Sequence, residues 1–265
     1  MLLFFELTSL IMTQSSPPSR APAWRWWIVF IALFLTYQLP EGLRFYELML
    51  LVLPVAWLGG RFLGYRGFDA WYLSRSPRWL SLLAVTFLAA LAMKAVALAV
   101  GAELGVYRIA SAWSGFGPLA AALPMVVLGS FVASISEDIL TRGFIKRALP
   151  SVGGCWIFIP VSALLYVLNH IYRLGNGPLE WMQLFCYGLA YAAALHYSGS
   201  LWPAVGLHWG WNFANSMADA TLQVDRLSDI GGPLLSSAAH LILLVLVLAC
   251  APKLFRSGSY RTVMS

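Results

Sequence analysis

Between residues 137 and 215, eight side chains have the types and spacings that hydrolytic chemistry needs. Glu137 and Asp138 sit in the string Ser136-Glu137-Asp138-Ile139-Leu140-Thr141-Arg142. On a helix, adjacent side chains diverge by about 100°, so the two carboxylates cannot share one role. Asp138 and Arg142 stand at i and i+4, the spacing of an ion pair on one face, which leaves Glu137 turned elsewhere and free to act. Tyr166 and His170 repeat the i, i+4 spacing, as do His208 and Asn212, with Asn215 extending that face at i+7. Trp209, Phe213 and Met217 then fall on another face of the same segment. A carboxylate, two imidazoles and a carboxamide are suited to activating water and stabilising an oxyanion inside a cavity. His196 and His240 lack such companions and read as structural or interfacial.

The same cluster admits other chemistry. Glu137, His170 and His208 could ligate zinc and leave a position for water. The chain has no His-Glu-x-x-His string, so a metal-free site with no cofactor is the favoured reading and zinc the second. Polar groups in apolar spans also line transport pathways, but no internal repeat or pair of broken helices supports a transporter. A non-catalytic membrane scaffold or immunity protein could carry the cluster as well.

The elements that position these groups are membrane spans. Of the 265 residues 60% are apolar and 11% charged, and the mean hydropathy is +0.75, more than the core of a water-soluble domain of this length requires. Eight apolar runs are long enough to cross a bilayer, at 25–40, 44–60, 79–101, 118–140, 154–173, 179–198, 201–218 and 233–251. The fold class is therefore all-α, a polytopic transmembrane bundle of about eight spans. Twelve of the 17 basic residues fall in the segments 20–25, 61–78, 142–147 and 253–261, and the others are Arg44, Arg108, Arg173, Arg226 and the intraspan Lys94. That asymmetry predicts both termini inside, and the expected location is the plasma (inner) membrane. It also accounts for the net charge of +6 without a nucleic-acid partner, because no basic stripe is formed.

Cys155, Cys186 and Cys250 are odd in number and lie within apolar spans, so they read as packing residues and not as a disulfide or zinc framework. Residues 1–24 form an N-terminal tail whose short apolar run has no basic n-region and carries Glu6, which suits an over-extended start as well as a surface segment. The membrane domain is expected over 25–251 and a cytoplasmic tail over 252–265. The stretch from Arg61 to Arg78, rich in Arg and aromatics, reads as an interfacial anchor loop.

Taken in order, Glu137-Asp138-x-x-x-Arg142, Tyr166-x-x-x-His170 and His208-x-x-x-Asn212 resemble the CPBP family, which includes the type II CAAX prenyl endopeptidases. The resemblance covers about 118–218. The family pattern has Glu where this chain has Asp138, and Phe where it has Tyr166. The resemblance implies a glutamic-type intramembrane endopeptidase that cuts a membrane-associated or lipid-anchored protein or peptide near its terminus. Glu137 and His170 would activate water, His208 and Asn212 would stabilise the oxyanion, and Asp138, Arg142, Tyr166 and Asn215 would support them. A carboxylate sheltered from water beside an imidazole is suited to take the proton from that water.

Overall fold

The structure is a computed structural model and describes residues 21–149 and 154–254. The N-terminal tail expected over 1–24 and the tail over 252–265 lie outside the described residues, apart from the turns that begin the first helix and end the last.

Each apolar run becomes a helical segment. The helices are α1 (Ala23–Leu43), α2 (Val52–Phe62), α3 (Trp79–Glu103), α4 (Phe116–Asp138), α5 (Phe144–Ala148), α6 (Cys155–Asn169), α7 (Pro178–Ser198), α8 (Trp202–Thr221) and α9 (Gly231–Leu254). A 3₁₀ turn, Tyr46–Leu51, leads into α2, and a π-turn, Ile139–Gly143, joins α4 to α5. The segments Ala23–Leu43, Trp79–Glu103, Phe116–Ala148 and Gly231–Ala251 are each long and apolar enough to cross a membrane. Their outward side chains, among them Leu88, Val96 and Val245, are large, apolar and more than half exposed, a surface suited to lipid and not to water. The chain is an all-α helical membrane bundle.

α7 and α8 are less apolar because their neighbours shield them from lipid. Ala190, Tyr191, Ala192, Ala193 and Ala194 of α7 are all fully buried. α8 lies against α3 through two small residues: a Cβ at Gly206 would meet Leu83 and Thr86, and one at Gly210 would meet the backbone of Phe87. Such close approach is how small residues hold helices together where lipid weakens the hydrophobic drive. Trp209 and Phe213 flank this seam and pack on the Phe87 ring, with centroids 4.6 and 5.5 Å away.

Three features depart from expectation. First, the polar connections hold a small antiparallel sheet, β1 (Tyr107–Ser111) with β2 (Leu222–Arg226), in the register Tyr107↔Arg226 to Ser111↔Leu222. Second, the run read as 154–173 ends its helix at Asn169, and His170 leaves the helical region at φ −86° and ψ 55°. Gln38 of α1 accounts for the stop: its Nε2 donates at 2.7 Å to the backbone oxygen of Asn169, which a continued helix would have used, and also to the side-chain Oδ1 at 3.0 Å. Third, the Arg61–Arg78 stretch is more than an interfacial anchor. Ala70 and Trp71 are fully buried, Trp71 Nε1 donates to the Ala56 oxygen at 2.9 Å, and Arg147 donates to the oxygens of Ala70 and Asp69 at 3.1 Å. This loop plugs one end of the bundle, where Leu201 N also donates to the Tyr72 oxygen at 2.9 Å. The β1–β2 sheet caps the other end.

Candidate active site

Glu137 is positioned by the last turn of α4, immediately before the π-turn. A π-turn widens the helix by one residue, and such bulges are frequent at functional sites. Thr141 fastens this turn by donating to the Glu137 backbone oxygen at 2.6 Å, and Ser162 of α6 donates to the Thr141 oxygen at 3.0 Å. The Glu137 side chain is buried and faces two elements that the chain order keeps far apart. From α1, the Tyr37 hydroxyl donates to Oε1 at 2.6 Å. From the end of α6, His170 Nε2 stands 3.5 Å from Oε2.

The orientation of His170 is set by its other nitrogen. Nδ1 lies 2.7 Å from the Tyr166 backbone oxygen. A carbonyl can only accept, so Nδ1 carries the hydrogen, and in the neutral ring Nε2 presents a lone pair toward Glu137. Oε2 of Glu137 is buried and receives no hydrogen bond from the protein. Two acceptors therefore face one another, an arrangement that a donor with two hydrogens satisfies.

Asp138 turns the other way. It forms a fully buried ion pair with Arg142, and its Oδ1 also lies 3.3 Å from His208 Nδ1. Arg142 is further held between aromatic faces, 4.6 Å from the Tyr166 centroid and 5.0 Å from that of Tyr191. With Nδ1–H of His208 donated to Asp138, its Nε2 accepts from the Tyr166 hydroxyl at 3.2 Å. The Tyr191 ring stacks on His208 at 4.9 Å, and its hydroxyl meets His240 Nε2 at 2.8 Å, so His240 braces the wall behind His208. Asn212 is half-buried and donates one hydrogen of Nδ2 to Ser134 Oγ at 3.1 Å, keeping the second.

Glu137, Tyr166, His170, His208, Asn212 and Asn215 line one cavity of about 460 Å³, while Asp138 and Arg142 sit behind its wall. The rim carries Arg173 and Glu180, themselves an ion pair, together with Asp219 and Arg226. Among the described residues, no group of three or more His, Cys, Asp and Glu is arranged to hold a metal ion. Both ring nitrogens of His208 face protein partners, Nδ1 toward Asp138 and Nε2 toward the Tyr166 hydroxyl.

Several residues of the site were not singled out from sequence. Tyr37 has the type of an ordinary packing residue, and the only signal near it is Gln38, a carboxamide in an apolar run. Ser134 and Tyr191 carry no signal of their own. Lys94 was noted only as a basic residue in a span; it lines the cavity with its Nζ 4.9 Å from the Trp211 ring centroid.

The comparisons with known proteins cover the same stretch. Residues 119–214, which hold Glu137, His170, His208 and Asn212, match the family model described as type II CAAX prenyl endopeptidase Rce1-like. No curated protein matches the chain. Over these residues, just over a third of the chain, it is similar to the type II CAAX prenyl endopeptidases, and three helices bring the ordered polar residues of that stretch to one buried cavity.

Proposed function

We propose that the protein is a multi-pass endopeptidase of the plasma (inner) membrane. It hydrolyses a peptide bond of a membrane-associated or lipid-anchored protein near its terminus, by a glutamate-based mechanism without a metal. The observation that carries this reading is the pair of opposed acceptors, Glu137 Oε2 and His170 Nε2, separated by 3.5 Å. A water donating one hydrogen to each would aim its lone pairs into the cavity, toward a substrate carbonyl. As its oxygen attacks the carbonyl carbon, Glu137 takes the proton and later passes it to the leaving amine. Tyr37, held on Oε1, fixes the carboxylate so that Oε2 stays directed at the water.

Charge on the carbonyl oxygen is received by the second hydrogen of Asn212 Nδ2 and by His208 once it carries a hydrogen on both ring nitrogens, with Nδ1–H on Asp138 and Nε2–H turned to the substrate in place of the Tyr166 hydroxyl. Asp138 and Arg142 orient His208 without touching substrate. Zinc is the second reading, on the residue types Glu137, His170 and His208; the two protein partners of His208 weigh against it.

The test is cleavage of a lipidated and unlipidated membrane-peptide library by purified protein in detergent, with products identified by mass spectrometry. Wild type is expected to cut a subset of peptides, and Glu137→Ala and His170→Ala to cut none. Equal cleavage by the variants would overturn the mechanism, and no cleavage by folded wild type would overturn the peptidase reading.

A further inference from the structure

The cavity belongs to one end of the bundle, and that end has a compartment. Its rim is built from Tyr107 of β1, Arg226 of β2, Arg173 after α6 and Gly232 at the start of α9. The pairing of β1 with β2 ties the connections after α3 and after α8 into one cap. At the opposite end the loop Arg61–Arg78 is docked on Arg147 and Leu201, closing the bundle there. Arg25 lies at that closed end too, donating to the Phe62 oxygen at 3.3 Å.

Basic residues divide unevenly between these ends. Arg25, Arg61, Arg66, Arg75, Arg78, Lys146 and Arg147 lie at the closed end. The cavity end has Arg44, Arg108, Arg173 and Arg226, two of which face the cavity. Acidic residues lean the other way: Glu41, Glu47, Glu103, Glu180, Asp219, Asp225 and Asp229 belong to the cavity end, and Asp69 to the closed end. Short connections rich in Lys and Arg stay on the cytoplasmic side during insertion, and the acidic residues contribute little to that choice. The Arg-rich plug is therefore cytoplasmic, and the cavity mouth lies on the far face.

We infer that the active-site cavity opens away from the cytoplasm, so that the substrates are membrane-inserted or lipid-anchored proteins whose cleaved segment has already been exported. This rests on the peptidase reading for the word substrate, while the direction of the opening stands on the fold and the charge distribution. An exported segment reaches Glu137 by passing the β1–β2 cap and the Arg173–Glu180 pair, without crossing the apolar walls. A cytoplasmic tail would meet the buried Trp71 plug instead.

Two measurements on the full chain test the inference and separate it from the peptidase reading. The first uses a background with Cys155, Cys186 and Cys250 replaced by Ala, into which Gln223→Cys, Ser76→Cys or Asn215→Cys is introduced singly. Intact spheroplasts are treated with a membrane-impermeant maleimide. Gln223→Cys on the cap and Asn215→Cys in the cavity should label in intact spheroplasts, and Ser76→Cys only after lysis. The reverse pattern would overturn the inference whether or not the protein cleaves anything. The second adds the peptide library outside spheroplasts or outside inverted vesicles. Cleavage with spheroplasts and not with inverted vesicles supports the inference, and cleavage confined to inverted vesicles overturns it. Outward labelling without cleavage in either preparation would uphold the outward opening and count against the peptidase reading alone.

Discussion

Tyr37 donates its hydroxyl to Glu137 Oε1 at 2.6 Å across 100 residues of sequence, which ties the first helix of the bundle to the proposed general base. A hydrogen bond to a charged group is worth about 1.5–3 kcal/mol, or roughly ten- to a hundredfold in rate if it is made in the transition state. Tyr37→Phe should therefore lower kcat at least about tenfold while the protein stays folded, as read from steady-state kinetics alongside thermal unfolding in detergent. A Tyr37→Phe enzyme with unchanged kcat would show that the phenol only packs.

Asp138 and Arg142 are fully buried, and removing one partner leaves the other charge alone in the bundle. That costs about 3–5 kcal/mol in comparable cases. Arg142→Ala should lower the yield of folded protein and its thermal midpoint more than Glu137→Gln does, measured by size-exclusion profile and thermal unfolding. A folded, normally stable Arg142→Ala protein would contradict the structural role.

Tyr166 stands where the family pattern has Phe, and its hydroxyl donates to His208 Nε2 at 3.2 Å. Neutral hydrogen bonds contribute about 0.5–1.5 kcal/mol net, so Tyr166→Phe should retain activity within roughly tenfold, because His208 keeps Asp138 on its other nitrogen. Loss of all activity would move the oxyanion donor from His208 to the phenol.

How far the sequence reached differs from residue to residue. Glu137, His170, His208 and Asn212 stood out because ionisable and amide groups are costly in an apolar run and because i, i+4 spacing puts pairs on one face. The helices were legible for the same reason, since lipid demands long apolar runs. Tyr37 was not, because tyrosine is at home in a span and its partner lies 100 residues away. The end of α6 at Asn169 was hidden too: it depends on Gln38, a contact between helices and not a local helix breaker. β1 and β2 escaped notice because each is five residues long in a polar connection, and their pairing joins the segments after α3 and α8. Trp71 looked interfacial by type, and only the packing of the plug shows it fully buried.

Metal dependence separates the two hydrolytic readings. Dialysis of active protein against a strong chelator should leave cleavage unchanged, measured on the same peptides before and after. Loss of activity that added zinc restores would contradict the metal-free mechanism.

The most direct measurement is kcat of Glu137→Gln beside wild type, on a peptide that wild type cuts, with folding checked by thermal unfolding. Gln keeps the size of the side chain and an oxygen to accept from Tyr37, but it cannot take a proton from water. General-base catalysis contributes about 10²–10⁴-fold, so kcat should fall by at least about a hundredfold with the fold intact. A folded Glu137→Gln enzyme that retains more than about a tenth of wild-type kcat would contradict Glu137 as the base.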